Sequence, residues 1–174
     1  MKTLNFLALL LLFVFTSCTT IRVASDYDTQ TDFSKYKSFA FYKPGVDEAQ
    51  ISDLDKKRIL RAIDANLTAK GMIKSEKPDI LVSLFTKERE RIDVYQNHYG
   101  YGWGYHPWYY GGTYSSSTTE GTLFIDFIDA KTNELVWQGI GVADLVMSTV
   151  EKKEARINAI VTKILAEYPP GVGK

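Results

Sequence analysis

The sequence predicts an α+β fold: a largely antiparallel sheet of about five strands with two helices packed on one face, in the order β-β-α-β-β-β-α. Two observations carry the sheet and one carries the helices. Residues 121–145 read G-T-L-F-I-D-F-I-D-A-K-T-N-E-L-V-W-Q-G-I-G-V-A-D-L, two β-prone runs around a polar turn. Short alternating runs recur before it. Two other segments, 52–70 and 150–167, place apolar residues at helical spacing.

In the hairpin, Leu123, Ile125 and Phe127 share one face of the first arm. Leu135, Trp137, Gly139, Gly141, Ala143 and Leu145 share one face of the second. These are the expected core faces, and the two glycines would let a helix pack close beside Trp137. Asn133 can take φ > 0 in the turn, and Asp129 is expected to shape it. By the same parity Leu81, Phe85, Phe124, Ile128, Ile140 and Val142 point away from the helices. That surface is large enough to expect a cover, either the aromatic segment described below or a partner molecule.

Before the hairpin, Ile21 to Tyr27 forms a first strand and Ser38 to Tyr42 a second, which Pro44-Gly45 ends. The first helix, Ser52 to Lys70, has Ser52 as N-cap, an Ile59, Leu60, Ile63, Leu67 stripe, and Gly71 after its end. Pro78 precedes a third strand, Asp79 to about Asp93, whose Lys87-Glu88-Arg89-Glu90-Arg91 run reads as a solvated extension at a sheet edge. The second helix runs from about Val150 to Glu167, with Ser148 and Glu151 fitting a capping box and Ile157, Ile160, Val161, Ile164 and Leu165 forming its stripe. Pro169-Pro170 stops it, leaving a loose tail at 171–174.

The chain opens with Lys2, an apolar run from Leu4 to Phe15, and Thr16-Ser17-Cys18. The run has signal-peptide length and is short for a membrane span. Small residues before Cys18 resemble the bacterial lipobox, although Phe15 stands where leucine is usual. Residues 1–17 then form a lipoprotein signal peptide, and Cys18 carries acyl chains, palmitate among them, that anchor residues 18–170 as a single domain. Thr19 and Thr20 follow where an aspartate would retain a Gram-negative lipoprotein at the inner membrane. The resemblance therefore implies the outer membrane, facing the periplasm. The plain alternative is an ordinary secretory leader.

Residues 95–119 are the compositional outlier, an aromatic/glycine-rich insertion with no aliphatic core residue and with both histidines. Tyr99, Tyr101, Trp103, Tyr105, Trp108, Tyr109 and Tyr110 present flat apolar faces with polar tips, suited to a glycan, an envelope protein or a membrane interface. The bland alternative is a low-complexity linker.

Chemistry is sparse. Lys+Arg and Asp+Glu both number 21, so there is no basic footprint for nucleic acid. Cys18 is the sole cysteine, which excludes an internal disulfide. His98 and His106 lack the carboxylates and spacing of a metal site. Ser115, Ser116 and Ser117 lack a nucleophile-elbow pattern, and Asp126 and Asp129 have opposite strand parity. No metal, cofactor or catalytic residue is assigned.

Several phrases resemble a family of uncharacterised bacterial envelope lipoproteins, the domain of unknown function 4136. They are D-Y-D at 26–28, F-S-K-Y-K-S-F-A-F at 33–41, K-G-M at 70–72, K-P-D-I-L-V at 77–82 and I-D-F-I-D-A-K-T-N-E-L-V-W-Q-G at 125–139. Asn133 replaces the usual turn glycine. The resemblance implies a fold and an envelope location, and no catalytic residues. The expected function is a non-catalytic structural or interaction role at the membrane. The second reading is a binding module for glycan or another envelope ligand, and the third a hydrolase. The expected partners are the membrane, an envelope protein or glycan, and a second copy of the chain as homo-oligomer.

Overall fold

The computed structural model describes residues 21–95, 114–144 and 149–171. In chain order the elements are β1 (Arg22–Tyr27), a 3-10 turn at Phe33–Lys35, β2 (Ser38–Phe41), α1 (Lys43–Glu48), α2 (Asp53–Ala69), β3 (Ile73–Lys74), β4 (Ile80–Tyr95), β5 (Tyr114–Asp129), β6 (Leu135–Asp144) and α3 (Val150–Ala166). The described strands make one six-stranded sheet, ordered β1-β6-β5-β4-β2-β3. Successive pairs from β1 to β4 are antiparallel, but β2 runs parallel to β4 and β3. The expected antiparallel pairing thus holds for the long strands, but the sheet is mixed and has six strands rather than about five. The reason lies in the connection: the chain leaves β2, crosses through α1 and α2, and returns in the same direction. β3 has two residues, too few to leave an alternation in the sequence.

The two long helices lie where the apolar stripes put them. Ser52 Oγ accepts from the Asp55 N–H at 3.2 Å, and Gly71 takes φ 85° just past the end of α2. α3 is capped by Thr149, whose hydroxyl accepts from the Lys152 N–H at 3.3 Å. The expected cap, Ser148, lies outside the described residues. α1 is a third helix that the Pro44-Gly45 pair hides. Proline is tolerated in a first turn, where its missing N–H would have no partner. A Cβ on Gly45 would overlap Ser83 Oγ, so glycine is what lets α1 lie against β4.

α2 and α3 cover one face of the sheet. Asp55 meets Lys153 near their starts and Asn66 meets Thr162 farther on, so the two helices run the same way. Between helices and sheet, Ile80, Val82, Ile125, Phe127 and Trp137 are fully buried against Ile63, Leu67, Val161 and Ile164. The hairpin parity holds from Trp137 to Ala143 and fails at Leu135, which is 52% exposed. Phe127 pairs with Trp137 but Ile128 pairs with Leu135, so Val136 is an extra residue in β6. That bulge reverses the facing of Leu135 and buries Val136 instead. Leu145 lies outside the described residues.

Gly139 and Gly141 bring α3 onto β6. A Cβ at Gly139 would overlap the Trp137 indole and the Ile164 side chain. One at Gly141 would stand 2.7 Å from Ile160 Cγ1 and from Ile164 Cδ1. The Trp137 ring fills the space over Gly139 and meets Phe127 at a tilt, with centroids 4.8 Å apart, and Tyr168 edge-on at 5.4 Å.

The β5–β6 turn is built on Asp129. Its Oδ1 accepts from the N–H groups of Lys131 and Thr132, and Asn133 closes the turn at φ 58°. Its Oδ2 accepts from the Tyr36 hydroxyl at 2.8 Å and pairs with Lys35 at 3.2 Å. Burial pushes this carboxyl up, but the hydrogen bonds from Lys131, Tyr36, Thr132 and Lys35 outweigh it and hold it at about 2. Asp79 does similar work at the start of β4, accepting from the Lys37 and Ser38 N–H groups and the Ser38 hydroxyl.

Two outcomes test this account. Trp137→Ala should cost about 3–5 kcal/mol in urea unfolding, the range for deleting a large buried aromatic; a loss under about 1 kcal/mol would contradict the packing. Asp129→Asn should cost about 1–3 kcal/mol at neutral pH by weakening buried charge-assisted hydrogen bonds. Because the folded pKa lies below the ordinary 3.8, the carboxylate's contribution is present above that value and is lost as pH falls towards 2. The wild-type and variant stabilities should therefore converge over that window; curves that stay parallel would deny the role.

Candidate functional site

Two ends of the sheet differ in character. The end holding the β5–β6 turn is closed by aromatic rings: Phe33 meets Tyr27, Tyr36 and Tyr168 edge-on, and Tyr168 meets Phe127. At the other end β4 and β5 run on past the body. Eight cross-strand pairs, from Glu88↔Gly121 to Tyr95↔Tyr114, form an arm of about 27 Å at strand rise. The serine/threonine run 115–119, grouped with the insertion from sequence, lies in β5. β1 starts at this same end, since Arg22 pairs with Val142, Val142 with Thr122, and Thr122 with Lys87.

Of the residues singled out from sequence, Cys18, His98, His106 and the aromatics Tyr99, Tyr101, Trp103, Tyr105, Trp108, Tyr109 and Tyr110 lie outside the described residues. Tyr95 and Tyr114, which flank 96–113 in the sequence, pair at the end of β4 and β5. Ile21, three residues after Cys18, already packs against the core.

A cleft of about 290 Å³ opens where the arm leaves the body, between the first turns of α2 and α3 and the core face of the sheet. Its origin is a row of small residues. Gly121 and Ala143 face each other across β5 and β6, directly beyond the glycines that α3 fills. Ile51, Ile59, Leu123, Ile157 and Ile160 give it apolar walls. Asp55, Lys153, Arg156 and Thr86 supply polar groups. Asp55 accepts from Arg58 at 2.7 Å, from Ser52 at 2.9 Å and from Lys153 at 3.1 Å. Burial raises its pKa, but the bonds from Lys153, Ser52 and Arg58 prevail, and it stays below the ordinary value. The Thr86 hydroxyl is buried without a hydrogen-bond partner. Sequence reasoning missed this cleft; its signal was the small pair Gly121 and Ala143, which continues the Gly139 and Gly141 row of the core face.

The face away from the helices has the expected parity. Leu81, Phe124, Ile128, Ile140 and Val142 are half-buried, and Phe85 is 46% exposed. Phe85 and Phe124 stack at 5.5 Å beneath the Lys87 ammonium. A polar row, Ser83, Asp126, Gln138 and Asp26, crosses this face in register. Burial raises the Asp126 pKa, and Gln138 offsets it only in part with a 2.8 Å bond. Asp126 and Asp129 lie on opposite faces. Among the described residues no group of three or more His, Cys, Asp or Glu could hold a metal, and no helix is long and apolar enough to cross a membrane.

The family described as Domain of unknown function (DUF4136) matches residues 23–170. No curated protein matches the sequence. Among solved structures, a PDZ domain protein from Parabacteroides distasonis ATCC 8503 is 16% identical with a TM-score of 0.50, over 87% of this chain. The chain spans 37% of that protein's length. The PelC dodecamer from Paraburkholderia phytofirmans is 12% identical with a TM-score of 0.48, over 84% of this chain and 96% of that one. A minor lipoprotein from Acinetobacter baumannii is 10% identical with a TM-score of 0.38, over 76% of this chain and 88% of that one. At such identities the likeness to the PDZ domain protein is one of fold.

Proposed function

We propose a non-catalytic, membrane-anchored interaction role in the bacterial envelope for this chain, which belongs to the DUF4136 family. Cys18 carries the acyl anchor, and the protein faces the periplasm from the outer membrane, in keeping with Thr19 and Thr20 after the cysteine. One observation carries the reading: β1 begins at the end of the sheet from which the β4–β5 arm projects. Two residues separate Cys18 from Ile21, a reach of about 10 Å over three chain steps, so an anchored domain would sit close against its bilayer. The arm would then present Tyr99, Tyr101, Trp103, Tyr105, Trp108, Tyr109 and Tyr110 near the membrane surface, where an envelope protein is the favoured contact. The same placement supports the second reading, a glycan-binding module, since sugar rings also stack on such faces. The apolar rows around Phe85 and Phe124 are a further contact, for a second copy or another envelope protein.

Cys18→Ser should move the protein from the membrane to the soluble fraction, and the wild type should carry acyl mass. An unmodified wild-type mass would overturn the anchor. Deleting 96–113 should leave the unfolding free energy within about 1 kcal/mol of wild type, because the core lies elsewhere. It should also abolish in-cell crosslinks to envelope proteins. Unchanged crosslinks would move the contact off the arm, and saturable glycan binding lost on the same deletion would select the second reading.

A further inference from the structure

We propose that the cleft between α2 and α3 binds the carboxylate end of a single-chain fatty acid, with its apolar chain over Gly121 and Ala143 and its head held by Arg156, Lys153 and Thr86. The site is built rather than left over. Over Gly139 and Gly141, α3 and the Trp137 ring occupy the room that the missing side chains leave. Over Gly121 and Ala143 the corresponding room is the cleft itself. Its volume is at the lower end of ligand pockets, which span roughly 300–1,000 Å³. It is therefore sized for one narrow chain, not for a folded headgroup or a second acyl tail. Its walls are aliphatic, which suits a saturated chain better than a sugar.

The head chemistry follows from the polar groups. Three of the lining residues carry cations, Lys87, Lys153 and Arg156, and one, Asp55, is an anion already engaged by Arg58, Ser52 and Lys153. A second negative charge on the ligand would stand near the Asp55 carboxylate, which disfavours a dianion. Arg156 has five donors in a fixed fork, enough to hold a carboxylate alongside its other interaction. The Thr86 hydroxyl is buried and unpartnered, and a carboxylate oxygen would satisfy it. The Lys87 ammonium is not part of the head site, because it lies over the Phe85 and Phe124 rings on the opposite face. The site needs no acyl group on Cys18, so its test is separate from that of the anchor.

The full chain, held in amphipol, is illuminated with a dodecanoate bearing a terminal diazirine, and the adducts are mapped by peptide mass spectrometry. Adducts should fall on the peptides holding Leu123, Ile157 and Ile160. Unlabelled dodecanoate should compete, and dodecanol should compete about tenfold less well, as expected for losing charge-assisted hydrogen bonds. Ala143→Leu should remove the labelling by filling the floor. Thr86→Val, close in shape and without the hydroxyl, should weaken it while the melting curve stays cooperative, which covers the case in which the leucine variant fails to fold. The proposal falls if no adduct forms in the cleft, if dodecanol competes as well as dodecanoate, or if a folded Ala143→Leu labels like wild type.

Discussion

The close seat of α3 on β6 is the constraint from which the architecture follows. Two side chains are missing at Gly139 and Gly141, and Ile160 and Ile164 descend into that space. The seat fixes which face of the hairpin is the core, and every strand in register with β6 inherits its parity. It also fixes where Trp137 must lie, folded over Gly139 with Phe127 and Tyr168 around it. The indole N–H has no partner there. The packing contribution of the ring therefore has to exceed the cost of an unsatisfied donor, of about 1–3 kcal/mol.

Features dictated by local chemistry were legible in the sequence. The helical stripes, Ser52 as a cap, Gly71 past the end of α2, Asn133 at positive φ and Asp129 as the turn's anchor each depend on neighbours a few residues away. What escaped depended on distant contacts. Gly45 reads as a breaker until Ser83 is known to lie against it. The parallel pairing of β2 with β4 is a consequence of the crossover, and a run of four residues, S-F-A-F, carries no mark of direction. Strict alternation puts Leu135 on the core face, and a single extra residue in β6 defeats it. The cleft is harder still, because it is an absence of side-chain volume between three elements.

The phrases that carry the family resemblance gather at the closed end of the sheet. Asp28 holds the Gln30 N–H and the Thr31 hydroxyl, Phe33 and Tyr36 join the ring cluster, and Asp79 clasps Lys37 and Ser38. Lys70 donates to the Tyr168 carbonyl, and Met72 is buried beyond Gly71. Each of these contacts fixes backbone or fills core. A resemblance written in such residues identifies a fold and is silent on chemistry. The arm, the cleft and the start of β1 lie at the other end, so the parts that hold the domain together and those available for contact are separated along the strands.

The free face of the sheet is a different kind of surface from the cleft. Its apolar rows, Leu81 with Ile128 and Phe85 with Phe124 and Ile140, are divided by Ser83, Asp126, Gln138 and Asp26. Asp126 already has its pKa raised by burial, and Gln138 offsets that in part. Any cover that excluded water further would either have to supply donors to this carboxylate or hold it protonated. A dry, obligate interface of the sort that seals two sheets face to face does not fit that row. A contact with a polar seam does: apolar surface on either side contributes the area, and the central row keeps its water or finds donors on the partner. Contacts of this make-up are reversible, because their polar centre exchanges one set of hydrogen bonds for another at little net gain.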